Sequence, residues 1–170
     1  MFALGIDPGL SRCGYGVVAR GPQGLCVQLA GVISTPPSDP LAQRLASLYG
    51  EICRLLVEVT PDVMVVERVL FQANARTAMA VGQASGVALV AAAQAGCPVV
   101  QYSPNEVKQA VTGYGSATKE QVQRMVQALL KLPERPRPPD VADALALAIC
   151  HLTGAGLRAA VAAAAGGPTP

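Results

Sequence analysis

The chain has 170 residues, enough for one domain with a full core and short for two. With 51% hydrophobic and 14% charged residues, disorder across the whole chain is excluded. A formal charge of +2, from 13 Lys and Arg against 11 Asp and Glu, does not by itself announce a nucleic-acid binder.

Phe2 to Asp7 reads as a short buried strand, turned by Pro8 and Gly9. Gly14–Ala19 reads as a second strand, 21–24 (GPQG) as a turn, and Leu25–Ser34 as a third. Short turns between them predict an antiparallel meander. Ser38-Asp39-Pro40 signals a helix start, with Ser38 or Asp39 as N-cap. Leu41, Leu45, Leu48, Ile52, Leu55 and Val59 then line one face of an amphipathic helix, which Pro61 ends. The apolar run 62–67 (DVMVVE) suits a strand covered on both faces. A loop (RVLFQAN) leads to an Ala-rich helix over 75–95, and 97–102 (CPVVQY) is a fifth strand. Ser103-Pro104-Asn105-Glu106 matches a capping box and opens a short helix ending at 113–115 (GYG). Thr118 to Gln121 fits the same pattern, opening a helix to about Leu132. A Pro-rich loop over 133–139 precedes a last helix from Asp140 to about Leu152. Residues 1–153 are thus expected to form the domain, and the Ala, Gly and Pro-rich residues 154–170 a flexible tail with at most a frayed helix. The order predicts an α/β domain with a mixed five-stranded sheet, three antiparallel strands then parallel ones, and helices on both faces.

The mean hydropathy of +0.37 raises the question of a membrane span. The richest stretch, Ala78 to Ala95, is interrupted by Gln83, Ser85 and Gln94, and is expected to be a buried helix. Asp7 comes too early for a signal peptide, so a cytoplasmic location is expected. Five scattered cysteines without a C-x-x-C pair argue against a disulfide framework or a zinc site.

Four of the eleven acids have unusual places. Asp7 and Glu67 each end a strand, and Asp140 and Asp143 are three apart at the start of an otherwise apolar helix. Charge at a buried helix needs compensation. The helix N-terminus supplies it for Asp140, but does not account for Asp7 or Glu67. A divalent cation accounts for all four, because an oxygen-rich carboxylate set suits Mg²⁺ or Mn²⁺. Two such ions about 3.5–4 Å apart clamp the attacking and leaving oxygens of a phosphodiester.

The stretches GIDPGLSRCGYGVV, VVERVLFQANA, GQASGVALVAAA, VKQAVTGYGSATKEQVQRMV and DVADALALAICH, in this order, resemble the RuvC family of bacterial Holliday-junction resolvases from about residue 3 to 152. The resemblance implies an RNase H-like fold, a homodimer and cleavage of four-way DNA junctions dependent on Mg²⁺ or Mn²⁺, with two ions per site. It places an acidic tetrad on Asp7, Glu67, Asp140 and Asp143. It also implies DNA contacts through Lys108 and Lys119, and coupling to the RuvA–RuvB branch-migration complex.

Without those four carboxylates the chain has 13 basic side chains against 7 acidic ones, or +6, for DNA to meet. Arg68 and Arg76 flank the loop after Glu67 and are further candidates, whereas Arg124, Arg135 and Arg137 read as solvated surface charge. Either Leu70 or Phe71, in the same loop, could stack on a base opened at the junction. Tyr114 is a weaker candidate for DNA contact, and His151 reads as structural. Gly82 and Gly86, four apart on one helix face, let another helix approach closely and suggest a dimer interface. Three rivals remain. An ATPase of the actin and sugar-kinase type usually needs two such domains. A non-catalytic junction-binding module leaves an intact tetrad unused. An RNase H-like nuclease acting on RNA or other branched nucleic acid is the nearest alternative.

Overall fold

Strand alternation decides which side of the sheet each residue serves. The computed structural model describes the backbone of residues 1–69 and 75–165 and the side chains of 1–69 and 77–154. Its strands are β1 (Phe2–Asp7), β2 (Arg12–Gly21), β3 (Gly24–Ser34), β4 (Val63–Glu67) and β5 (Val99–Tyr102). They form one sheet in the order β3-β2-β1-β4-β5. β1 pairs antiparallel with β2 and parallel with β4, and β5 runs parallel to β4. The mixed sheet matches the expectation, and it makes β1 the central strand.

Helices α1 (Leu41–Val59) and α2 (Ala75–Gln94) cover one face. There Leu4, Ile6, Val17, Met64 and Val66 meet Leu48, Ile52, Ala84 and Ala88 in one core. Helices α3 (Pro104–Thr112), α4 (Lys119–Leu129) and α5 (Pro139–Ala165) cover the other. Ala3, Val18, Val63 and Val65 meet Val107, Val122, Leu145 and Ile149 in that second core. Side chains along a strand alternate between faces. Asp7 follows Ala3 and Gly5, and Glu67 follows Val63 and Val65, so both carboxylates emerge on the α5 side.

Helix α2 is long and apolar enough to cross a membrane, over Thr77–Gln94 with mean hydropathy 1.2. Only one face of it is buried, Ala84, Ala88, Ala91 and Ala92 packing into the core beneath α1, so the helix expected to be buried is half exposed.

Several boundaries differ from the sequence reading. Pro40, not Ser38 or Asp39, is the N-cap of α1, and no side chain caps it. The Ser38 hydroxyl instead donates to Asp39 Oδ1 at 3.3 Å. β2 begins at Arg12 because its ladder with β3 already starts at Arg12 opposite Ser34. The last helix, expected to end at about Leu152, runs on to Ala165. Glycine costs a helix about 1 kcal/mol relative to alanine without ending it, and no proline interrupts 154–165. Both capping boxes are present, Ser103 with Glu106 and Thr118 with Gln121.

Candidate active site

The site begins with a close approach of backbones. An added Cβ on Gly5 would lie 1.9 Å from the Ala144 carbonyl oxygen, and one on Gly14 2.1 Å from that of Asp140. Only glycine at these two points lets α5 lie flat across β1 and β2. Gly14 is also the cross-strand partner of Asp7. The first turn of α5, with Asp140 and Asp143, is thereby held over the end of the central strand.

The turn after Asp7 is stapled in place. A Cβ on Gly9 would lie 2.1 Å from the Arg12 carbonyl oxygen, so this turn closes tightly only with glycine. Buried Thr35 donates from Oγ1 to the Leu10 carbonyl at 2.5 Å and from its amide to that of Ser11 at 3.2 Å. Arg44 on α1 donates to Thr35 Oγ1 at 2.9 Å and to Ser11 Oγ at 2.7 Å. Asp7 and Arg12 therefore leave a turn that is anchored on both sides.

Asp7, Glu67 and Asp143 line one cleft of about 350 Å³ with Lys108, Lys119, Val107, Val122 and Leu147. Asp140 stands beside this group rather than in the lining. Lys119 Nζ donates to Asp143 Oδ2 at 2.6 Å, and Arg12 Nε lies 3.5 Å from Asp140 Oδ2. That oxygen of Asp140 is buried and has no hydrogen bond. The sequence reading missed Arg12. Its place at the start of β2, just past the turn that follows Asp7, was the available signal.

Electrostatics confirm that the acids crowd one another. Burial, then the charges of Asp143 and Glu67, push the Asp7 carboxyl up to about 7, against a partial offset from Lys119. Burial also raises Glu67 and Asp143, each with a further acid nearby. For Lys119, partial burial works against its charge. The Asp143 hydrogen bond and the charges of Asp143, Asp7 and Asp140 outweigh it, and its ammonium is held above the usual lysine range. Burial pushes the neighbouring Cys13 thiol up to about 12, which leaves it inert as a nucleophile.

Among the described residues, no three His, Cys, Asp or Glu side chains are close enough together to hold an ion as they stand. The donor chemistry nevertheless fits one. The four carboxylates are hard oxygen donors, their mutual repulsion is only partly offset, and one buried oxygen is unsatisfied.

The other expected residues fall as follows. Lys108 is half-buried at the cleft, and Arg68 is exposed just past Glu67. Leu70, Phe71 and the Arg76 side chain lie outside the described residues. Arg124 and Arg135 both pair with Glu120 at the surface, at 2.7 and 3.4 Å, and Arg137 is exposed. Tyr114 is 63% exposed. His151 is buried, hydrogen-bonded through Nδ1 to the Tyr102 hydroxyl at 3.1 Å. Gly82 and Gly86 are exposed and face open space, not the domain's own core.

A family model described as crossover junction endodeoxyribonuclease RuvC matches residues 3–151. The crossover junction endodeoxyribonuclease RuvC of Moorella thermoacetica is 55% identical over 152 residues, 89% of this chain and 90% of that relative. That of Salinispora arenicola is 54% identical over 166 residues, 97% of this chain and 95% of the relative. Among solved structures, Thermus thermophilus RuvC in complex with Holliday junction substrate superposes with a TM-score of 0.87 at 40% identity, over 93% of this chain and 96% of that one. The yeast mitochondrial Holliday junction resolvase Ydc2 shares the fold, with a TM-score of 0.66 at 14% identity over 92% of this chain and 82% of that one. With its RNase H-like sheet and this breadth of likeness, the chain belongs to the RuvC family of crossover junction endodeoxyribonucleases.

Proposed function

We propose that this chain resolves four-way DNA junctions by paired, symmetric nicks, in homologous recombination and repair. The observation that carries this reading is the gathering of Asp7, Glu67 and Asp143 in one cleft with Lys108 and Lys119. It is supported by the family's named activity and by the Thermus relative's complex with Holliday junction substrate.

Asp7, at the end of the central strand, would be one ligand of a cation bound in the cleft. Glu67 and Asp143 would hold it with Asp7, and Asp140 beside them would add a fourth carboxylate. Bound there, one or two Mg²⁺ or Mn²⁺ ions would supply Lewis acidity for activating a water near neutral pH and for stabilising the departing 3′ oxygen. The products carry 5′-phosphate and 3′-hydroxyl ends. Lys108 and Lys119 neutralise backbone phosphates at the cleft, and Arg68 and Arg76 extend that contact along the loop after Glu67. Leu70 or Phe71 wedges a base opened at the crossover.

A homodimer supplies the second site that paired nicks require. The exposed small face of α2 at Gly82 and Gly86 supports this. So does the adjoining apolar groove of about 470 Å³ lined by Leu45, Ala46, Tyr49, Val87 and Val90. The reading extends to work beside the RuvA–RuvB branch-migration complex in the bacterial cytoplasm.

The test is cleavage of a synthetic mobile junction, with a linear duplex for comparison, in the presence and absence of each metal. Wild type is expected to nick the junction only with metal, and Asp7→Asn and Glu67→Gln are expected to bind it without nicking. An Asp7→Asn protein that cleaves like wild type refutes the assignment.

A further inference from the structure

Two carboxylates of the site already carry a cation from their own chain. Lys119 comes from the first turn of α4 and sits on Asp143 at 2.6 Å. Arg12 comes from the start of β2 and lies 3.5 Å from Asp140. The two basic side chains come from different elements, one from a helix and one from the sheet.

The pairs are lopsided in the same way. Lys119 and Arg12 are 61% and 60% exposed, whereas Asp143 and Asp140 are only 27% and 19% exposed. Each acid is held on α5, which lies flat on the sheet. Each base reaches it along a flexible stem from the solvent side. The guanidinium of Arg12 makes no hydrogen bond to Asp140, which leaves Oδ2 of that acid unsatisfied. Lys119 stands at the first helical position, where the helix dipole disfavours a cation unless an anion accompanies it. Both bases are thus attached where they are held mainly by the acids they cover.

We propose that Lys119 and Arg12 are exchange cations, which occupy Asp143 and Asp140 in the free protein and pass to DNA phosphates when a divalent ion takes those carboxylates. The inference rests on reading the tetrad as the cation site. A divalent ion at the acids repels both side chains. Released, they lie at the edge of the cleft that the DNA backbone must approach. The ion and the junction then strengthen each other's binding, and by linkage they do so by the same factor. Within the family's reaction this gives Arg12 a positioning role: it keeps Asp140 compensated until the ion arrives, then helps seat the substrate.

The experiment measures Mn²⁺ binding to the full chain without DNA, by electron paramagnetic resonance. Arg12→Gln and Lys119→Gln each remove a competing charge and are expected to bind Mn²⁺ about three- to tenfold more tightly than wild type. Arg12→Lys keeps the charge and is expected to return close to wild-type affinity, which a general structural defect would not do. In a second arm, junction affinity is read by fluorescence anisotropy with chelator and with Ca²⁺, the strands being checked as intact on a denaturing gel. Wild type is expected to gain about fivefold or more from Ca²⁺, within the usual range of such couplings, and Arg12→Gln clearly less. Unchanged or weaker Mn²⁺ binding in both glutamine variants overturns the exchange, as does an equal Ca²⁺ gain in Arg12→Gln. Asp7→Asn separates the two levels. If it binds Mn²⁺ as wild type does, the tetrad reading falls and takes the exchange with it. If it loses Mn²⁺ while the glutamine variants stay at wild-type affinity, only the exchange falls.

Discussion

Replacing Gly5 with alanine asks how tightly the active site is tied to the fold. The new Cβ would stand 1.9 Å from the Ala144 carbonyl oxygen and 3.1 Å from the Ala148 amide nitrogen. Ordinary carbon–oxygen contact is about 3.3 Å, so α5 must lift from β1 by about 1.4 Å at that point. The obstacle is backbone on both sides, so no rotamer change relieves it. Overpacking of a tight core costs typically 1–3 kcal/mol, and a rigid backbone clash belongs at the upper end, about 3 kcal/mol. For a chain of this size that lowers Tm by roughly 6–12 °C. Asp143 stands one residue before Ala144 and moves with it. Displacement of about 1 Å in a catalytic group costs about 100-fold in rate. The assay is urea unfolding together with junction cleavage, measured where the variant is still fully folded. Gly50→Ala is the control: it lies inside α1 with nothing within 4 Å of the added methyl, and is expected to gain about 0.5–1 kcal/mol with unchanged cleavage. If Gly5→Ala stays within about 0.5 kcal/mol of wild type and cleaves at the wild-type rate, the close approach does not govern the site.

Three further outcomes follow from the same geometry. In the cation-free protein Asp7 holds its proton up to about pH 7, whereas the unfolded chain releases it near 3.8. Its stability contribution is therefore full below pH 3.8 and is lost as the pH rises toward about 7, and Glu67 and Asp143 act in the same sense. Asp7→Asn is expected to gain stability at pH 8 relative to pH 5 when compared with wild type in urea, and parallel pH profiles refute the account. Thr118→Ala removes the cap that accepts from the Gln121 amide. A loss of about 1 kcal/mol is expected, with a larger loss of cleavage than in Ser103→Ala because the first turn of α4 carries Lys119. Gly86→Leu places a large side chain on the exposed face of α2 and is expected to yield monomers in sedimentation at low concentration. A variant that stays dimeric moves the interface elsewhere.

The strand ends and the two capping boxes were legible because each has a strong local signal. An apolar run closed by Asp7 or Glu67 reads as a strand tip, and Ser103 or Thr118 three residues before Glu106 or Gln121 reads as a helix start. The sheet order followed from short turns first and helical connections later. What escaped was set by contacts distant in sequence. Ser38 and Asp39 look like caps, but they hydrogen-bond to each other. The glycines after Leu152 suggested a helix end, yet α5 passes through them. Arg12 drew no attention in a single sequence, because its meaning depends on Asp140, which is brought near only when α5 crosses Gly14.

The flat seating of α5 on the glycines of β1 and β2 divides the site into two mechanical halves. The acids are fastened to the paired strands β1 and β4 and to the long helix that closes the core, so they can separate only if the whole domain opens. Lys108 and Lys119 ride instead on α3 and α4, helices of 9 and 11 residues joined by a glycine-capped turn. Helices this short owe their order to the surface they lie on, and their opening free energy belongs to the low end of the domain's range. The anionic half is therefore a fixed anvil for chemistry that tolerates little displacement. The cationic half is a compliant jaw, able to follow a junction whose arms change angle as it is bound.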